Sequence, residues 1–204
     1  MAALPPRHLA FWFDFASTYS YLSALRIEAL ASAAGVEVVW RPFLLGPIFK
    51  AQGWDTSPFN LYPAKGRYMI RDLERLAAAR GEVFHMPARF PANSVLAART
   101  ALALETAGAL AAFCKAVFAA EFAQAKDIAD EAVIVDILAG LGINPRQCLE
   151  KTQEPAIKQK LRERTEHAAA LGIFGAPTFE TRDGEIFWGD DRLEQALDFA
   201  QVTE

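Results

Sequence analysis

No basic stripe, no paired cysteines and no long apolar run mark this chain of 204 residues. Each absence removes a class of function. Lys and Arg together number 21 against 25 Asp and Glu, a net charge of −4, with a pI near 5.5. A nucleic-acid partner is not expected, because grip on a phosphate backbone needs clustered cations. The two cysteines, Cys114 and Cys148, sit in Ala/Leu-rich helical sequence, and neither belongs to a C-x-x-C motif. They read as buried or half-buried thiols behaving as small hydrophobes, not as a disulfide framework. No stretch approaches the ~20 apolar residues of a membrane span. Residues 1–8 contain proline and lack a basic segment followed by an apolar one. These features set the expectation of a cytoplasmic protein without a membrane partner. Internal repeats are absent too. What is present is an ordinary globular composition, 52% hydrophobic and 23% charged, sized for one domain or one domain with a large insertion.

Residues 8–14 predict a strand, with Leu9, Phe11, Trp12 and Phe13 almost uninterrupted by polar groups. A strand apolar on both faces suits the centre of a sheet. Ser17 then offers a helix cap. Residues 19–34 predict a helix, ended by Gly35, and 36–41 a second strand stopped by Pro42. Strand–helix–strand favours a parallel pair with a right-handed crossover. Residues 43–67 read as irregular, rich in Gly, Pro and aromatics. Helical segments are then expected at 72–80, 93–107 (capped by Asn93), 110–124, 130–139, 145–151 and 155–171, with a loop at 84–91. Residues 178–181 and 186–188 flank Asp183-Gly184, a hairpin signal, and 192–202 forms a last helix. This layout is an α/β, thioredoxin-like fold with a large all-α insertion. The expected division is a thioredoxin-like domain at 8–45 plus 172–204 and a mainly helical insertion at 46–171.

Ser17 follows a buried strand and opens a helix. The first N–H groups of a helix have no intrahelical partner and carry roughly half a positive charge. A thiol becoming a thiolate is stabilised there, and a serine hydroxyl can donate to it without being oxidised. The plainer explanation is an N-cap worth ~1 kcal/mol, and local sequence by itself favours the cap. His8, His85 and His167 lie far from Ser17 in sequence, which gives a hydrolase triad little support. Ala176-Pro177 precedes a strand. A cis bond there exposes the alanine backbone to an extended peptide, whereas a trans proline in a turn is the commoner arrangement. Asp190 and Asp191 suit a helix start by charge or, more sharply, a ligand ammonium. Lys65 and Arg67 suit a ligand carboxylate or simply a solvated face. Trp54, Phe59, Tyr62 and Tyr68 suit an aromatic-accepting pocket or the seam between the two parts.

Taken in order, several motifs run through the whole chain. They are Phe11-Trp12-Phe13-Asp14-Phe15-Ala16-Ser17, Tyr19-Ser20-Tyr21-Leu22, Leu44-Leu45-Gly46-Pro47, Pro63-Ala64-Lys65-Gly66-Arg67-Tyr68, Phe90-Pro91-Ala92-Asn93-Ser94, Gly172-Ile173-Phe174-Gly175-Ala176-Pro177-Thr178 and Trp188-Gly189-Asp190-Asp191-Arg192-Leu193. Their joint order resembles the 2-hydroxychromene-2-carboxylate isomerases, relatives of the kappa-class glutathione transferases and of DsbA oxidoreductases. The resemblance implies a DsbA/kappa-type fold and glutathione as cofactor. It implies Ser17 as the catalytic serine bonded to the glutathione sulfur, and Ala176 before a cis Pro177 as the backbone partner of the cysteinyl unit. It places Asp190 and Asp191 at the γ-glutamyl end and Lys65 near the ligand; Asn93 receives no role. It further implies a small aromatic carboxylate substrate, aromatic (naphthalene) catabolism and a homodimer. Two positions depart from the family: Thr18 stands where proline is usual, and Trp54 where some kappa relatives carry asparagine. A kappa-like transferase acting on electrophilic aromatics, and a non-catalytic glutathione or thiol-peptide binder, remain as alternatives. Serine at position 17 disfavours a disulfide oxidant.

Overall fold

The computed structural model describes residues 7–201. In chain order the elements are β1 His8–Phe13, α1 Thr18–Ala34, β2 Glu37–Pro42, α2 Leu45–Ala51, α3 Pro58–Leu61, α4 Pro63–Arg80, α5 Val95–Leu104, α6 Leu110–Phe122, α7 Glu131–Gly140, α8 Pro145–Thr152, α9 Pro155–Ala170, β3 Thr178–Thr181, β4 Ile186–Trp188, a 3-10 turn Asp190–Arg192 and α10 Leu193–Gln201. The sheet order is β2-β1-β3-β4. β1 runs parallel to β2, with Phe11 opposite Trp40. It runs antiparallel to β3, with Phe11 opposite Phe179, and β3 pairs antiparallel with β4. The helices α2 to α9 enter between β2 and β3, so a thioredoxin-like sheet carries a large helical insertion.

β1 is buried at every residue because it lies inside the sheet with apolar groups on both faces. Leu9, Phe11 and Phe13 join the main core with Tyr21, Leu22, Phe113, Phe118, Phe122 and Phe179. Ala10 and Trp12 turn to the opposite face and meet Phe43, Ile48, Ala168 and Ile173. The two-residue period of a strand makes this division. Phe11 sits between Trp40 (centroids 5.1 Å) and Phe179 (5.6 Å). Both cysteines are buried free thiols, as their sequence setting indicates, and burial pushes the Cys114 thiol well above its ordinary pKa.

Three segments differ from the sequence expectation. Residues 43–67 are not irregular: they hold α2, α3 and the start of α4. The prolines read as punctuation instead open helices, Pro58 and Pro63 occupying the first turns of α3 and α4. A missing N–H costs nothing there. Pro42 closes β2 from within, paired with Phe13, which an outer strand tolerates. Asn93 is not the cap of α5. Ser94 holds that position without a side-chain bond of its own, while Asn93 Oδ1 accepts the Val95 N–H at 3.1 Å. The final helix was expected to reach 202; α10 runs to Gln201, and residue 202 lies outside the described residues.

Glu121 on α6 is fully buried, and neither carboxylate oxygen takes a hydrogen bond among the described residues. Burial pushes its pKa well up, and the negative charges of Asp14 and Asp127 add to the shift. The carboxyl therefore stays protonated in the fold at pH values where the unfolded chain ionises it. With a raised folded pKa, stability is full below the ordinary value of 4.5 and falls as pH rises towards the folded value. The fall is at most about 1.4 kcal/mol per pH unit for one group. Denaturant titrations from about pH 4 to about pH 8 should show Glu121→Gln with a flatter pH dependence than the unaltered protein and a gain at the upper end. Equal slopes would contradict a neutral Glu121.

Candidate functional site

The strand β1 delivers its chain to a turn whose geometry is set by Asp14. Asp14 Oδ1 accepts the Ala16 N–H at 3.0 Å, and Oδ2 accepts the Leu45 N–H at 2.8 Å. The Ser94 hydroxyl adds a third bond. Burial raises the Asp14 pKa and these bonds oppose the rise. The turn closes with the Ser17 N–H on the Asp14 carbonyl at 2.9 Å.

Ser17 caps α1: its Oγ accepts the Ser20 N–H at 3.2 Å. It also donates its hydroxyl proton to the Ala176 carbonyl at 2.9 Å, across 159 positions of sequence. One oxygen thus serves both the helix cap and the bond to the loop before β3. The Ala176-Pro177 bond is cis, and so is Phe90-Pro91. No partner among the described residues takes the N–H groups of Thr18, Tyr19 or Ala176. The Ala176 carbonyl, which accepts the Ser17 hydroxyl, keeps a second lone pair.

The hydroxyl of Thr18, at the family's proline position, donates to the Met69 sulfur at 3.6 Å. That contact joins α1 to α4. Lys65 stands one turn before Met69 on α4, and helical side chains lean towards the N-terminus. Lys65 itself is exposed, and its ammonium lies 5.0 Å from the Tyr62 ring centre. Tyr19 donates to Asp72 at 2.9 Å, and burial, followed by Asp72, pushes its phenol pKa up. Tyr19 therefore holds its proton at neutral pH. Trp54 packs on Phe49 with ring centres 5.8 Å apart. His167 packs on Trp12 on the far face of the sheet, and the main-chain N–H of His85 bonds the Phe122 carbonyl on α6. The Ser17 hydroxyl is directed to a carbonyl and not to a histidine.

Asp190 and Asp191 are neighbours with different surroundings. Asp190 is 3% exposed and bonded to Ser23, Arg26 and Arg80. Asp191 is largely exposed, beside Arg192. Ser23, Arg26 and Arg80 lie outside the motifs quoted above, and Asp14 and Ser94 lie inside them without a role attached. Arg26 and Arg80 look like solvated helix charges until folding brings them to Asp190. Among the described residues no group of three His, Cys, Asp or Glu side chains is placed to hold a metal. No helix among them is long and apolar enough to cross a membrane.

Phe174 and Trp188 form an exposed edge-to-face pair with centres 4.7 Å apart. Trp188 lies over Gly175, where any Cβ would meet the indole nitrogen. The aromatic pair therefore borders the Ala176-Pro177 turn.

Known proteins share this plan. A family model described as a DSBA-like thioredoxin domain matches residues 8–201. The 2-hydroxychromene-2-carboxylate isomerase of Sphingobium xenophagum is 30% identical over 188 residues, 90% of this chain and 93% of its own. Glutathione S-transferase kappa 1 of Homo sapiens is 30% identical, over 93% and 88% respectively. The solved structure of a selenomethionine 2-hydroxychromene-2-carboxylate isomerase superposes with a TM-score of 0.84 at 26% identity, covering 94% of this chain and 93% of that one.

Because Trp188 fills the space over Gly175, Gly175→Ala should displace the indole. We expect a stability loss of about 1–3 kcal/mol and a change in tryptophan emission that a Trp188→Phe background abolishes. Wild-type emission and stability in Gly175→Ala would refute the close packing.

Proposed function

The chain belongs to the DsbA-like thioredoxin-domain family, in its glutathione-related branch of isomerases and transferases, and from that premise we propose that it is a glutathione-dependent isomerase. Its substrate is 2-hydroxychromene-2-carboxylate or a closely related aromatic carboxylate, and its product trans-o-hydroxybenzylidenepyruvate. The observation that carries the reading is the Ser17 hydroxyl, held 2.9 Å from the Ala176 carbonyl at a helix start, where a redox enzyme of this fold would need cysteine.

Once the cyclic hemiketal has opened, its ring C–O bond giving a phenol and an α-keto acid, bound glutathione would supply a thiolate for reversible addition to the conjugated double bond, so that rotation is easy before the thiolate leaves. The residues of the chain do the rest. Ser17 turns its hydroxyl from the Ala176 carbonyl to the sulfur and holds negative charge there. The free N–H groups of Thr18 and Tyr19 add donors at the positive end of α1; a proline at position 18 would supply one fewer. Ala176 aligns the peptide, Pro177 fixes the turn, and the turn that carries buried Asp190 and exposed Asp191 borders the γ-glutamyl end. Lys65 is the cation for a carboxylate of the ligand or substrate. Phe174 and Trp188 offer a flat apolar surface for the aromatic ring. The same reading places the protein in the cytoplasm, as a homodimer serving aromatic catabolism.

Similarity to a kappa transferase equals that to an isomerase, which keeps conjugation of electrophilic aromatics as a second reading of one site. Product analysis separates them. The isomerase reading expects chromene-carboxylate conversion that requires glutathione and consumes none. Stable glutathione conjugates without isomerisation would replace it with the transferase. Ser17→Ala should lower kcat about a hundredfold or more, in the range for loss of one preorganised donor, while removing only about 1 kcal/mol of stability through the lost cap. Unchanged turnover would remove Ser17 from the mechanism.

A further inference from the structure

Glu121 takes no part in the site described above, yet it stands behind the turn that presents Ser17. Phe118, one turn earlier on α6, packs on Phe13 with ring centres 5.6 Å apart and on Phe15 at 5.2 Å. Those two residues flank Asp14. Phe122, next to Glu121 in the chain, packs on Tyr21 of α1 at 5.6 Å. Side chains three residues apart are neighbours on a helix surface, so Glu121 lies beside the flank of α6 that meets the turn. The charge of Asp14 reaches its carboxyl.

That carboxyl is fully buried, and neither oxygen has a hydrogen-bond partner among the described residues. The charges that act on it are Asp14, from the Ser17 turn, and Asp127, from the loop after α6; no cation of α1, α5 or α7 is among them. Asp127 is itself engaged with the Ala129 N–H and with Arg89. Lys115, further back on α6, is paired with Glu28. His85 and Lys126 are exposed, and their main-chain N–H groups bond the Phe122 and Ala120 carbonyls of α6. Tyr21 donates its hydroxyl to the Val83 carbonyl. A buried carboxylate without donors or a counter-ion is very costly, whereas a neutral carboxyl is tolerated. Of the two buried acids, the charge therefore settles on Asp14, which has three donors, and the proton on Glu121, which has none.

We propose that Glu121 is a positioning residue of the Ser17 turn, holding it through Asp14 while uncharged and loosening it once ionised. With Glu121 neutral, the Asp14 carboxylate fastens the Ala16 and Leu45 N–H groups and the Ser94 hydroxyl without repulsion. An ionised Glu121 repels that carboxylate and draws it from its donors. A second buried negative charge would also oppose a thiolate at Ser17. The direction with pH follows from burial, which raises the Glu121 pKa. The neutral form persists below the raised value and is lost as pH climbs through it. The consequence for turnover rests on the glutathione reading above; the consequence for the turn stands without it.

Two readouts against pH test this. The first is kcat at saturating glutathione, which reports groups of the bound enzyme. It should rise on the acid side as the thiol ionises. On the alkaline side it should fall as Glu121 ionises, by about tenfold per pH unit for one group, reversibly and with unchanged far-UV circular dichroism. Glu121→Gln copies the protonated carboxyl and should keep the plateau without the alkaline fall. Glu121→Met, apolar and unbranched, should do the same and keeps the test open if Glu121→Gln does not fold. The second readout needs no substrate: the NMR amide signals of Ala16 and Leu45, whose N–H groups bond Asp14. In the unaltered protein they should shift with the midpoint of the alkaline fall, and in both variants that shift should vanish. An alkaline fall retained in a folded variant, or Ala16 and Leu45 signals that behave alike with and without Glu121, would overturn its role. An unaltered protein with a flat alkaline side would do so too. Absent chromene-carboxylate turnover, with amide signals titrating as described, would overturn the isomerase reading and support the role of Glu121 in the turn.

Discussion

A single buried carboxylate, that of Asp14, holds together the parts on which this structure depends. It bonds the Ala16 N–H of its own turn, the Leu45 N–H where β2 passes into α2, and the Ser94 hydroxyl where α5 begins. Three segments that are remote in sequence meet at one side chain. The turn that presents Ser17 cannot relax away from the sheet while these bonds persist. A buried acceptor left without donors would be costly, so the network is satisfied as a unit or not at all.

From that joint, α1 works as a beam between two chemical ends. At its start stand Ser17 and N–H groups that have no partner among the described residues, at the positive end of the helix dipole. Nine residues on, about 14 Å along the axis at helical rise, Arg26 grips Asp190. The turn that carries Asp190 is therefore held by the same rigid element that presents Ser17. The helix α4 repeats the arrangement, with Lys65 in its first turn and Arg80 in its last. The insertion is not an ornament on the sheet: it contributes Met69 against Thr18, Asp72 against Tyr19 and Ser94 against Asp14.

Much of this was legible in the chain. β1 declares itself central because it is apolar at consecutive positions, and only burial on both faces satisfies such a run. Gly35, Asn144-Pro145 and Asp183-Gly184 mark their boundaries by local backbone chemistry. Residues 43–67 deceived for a physical reason. Proline ends a helix from within but begins one at its first turn, and Pro58 and Pro63 do the latter. Asn93 has the residue type of a cap, and its Oδ1 does accept the Val95 N–H, but the cap position of α5 lies one residue later, at Ser94.

The sequence by itself determined most of the elements outside 43–67, the serine at the cap and the proline before β3, because those follow from short-range sterics and hydrogen bonding. It also carried the family likeness in the order of its motifs. Only the tertiary structure decided what Ser17 faces, since the Ala176 carbonyl comes from 159 residues away. It alone separated Asp190 from Asp191. Two identical side chains in succession differ in nothing until folding buries one between Arg26 and Arg80 and leaves the other in water. Burial and charge pairing are properties of the assembled chain, and no local pattern encodes which arginine will arrive.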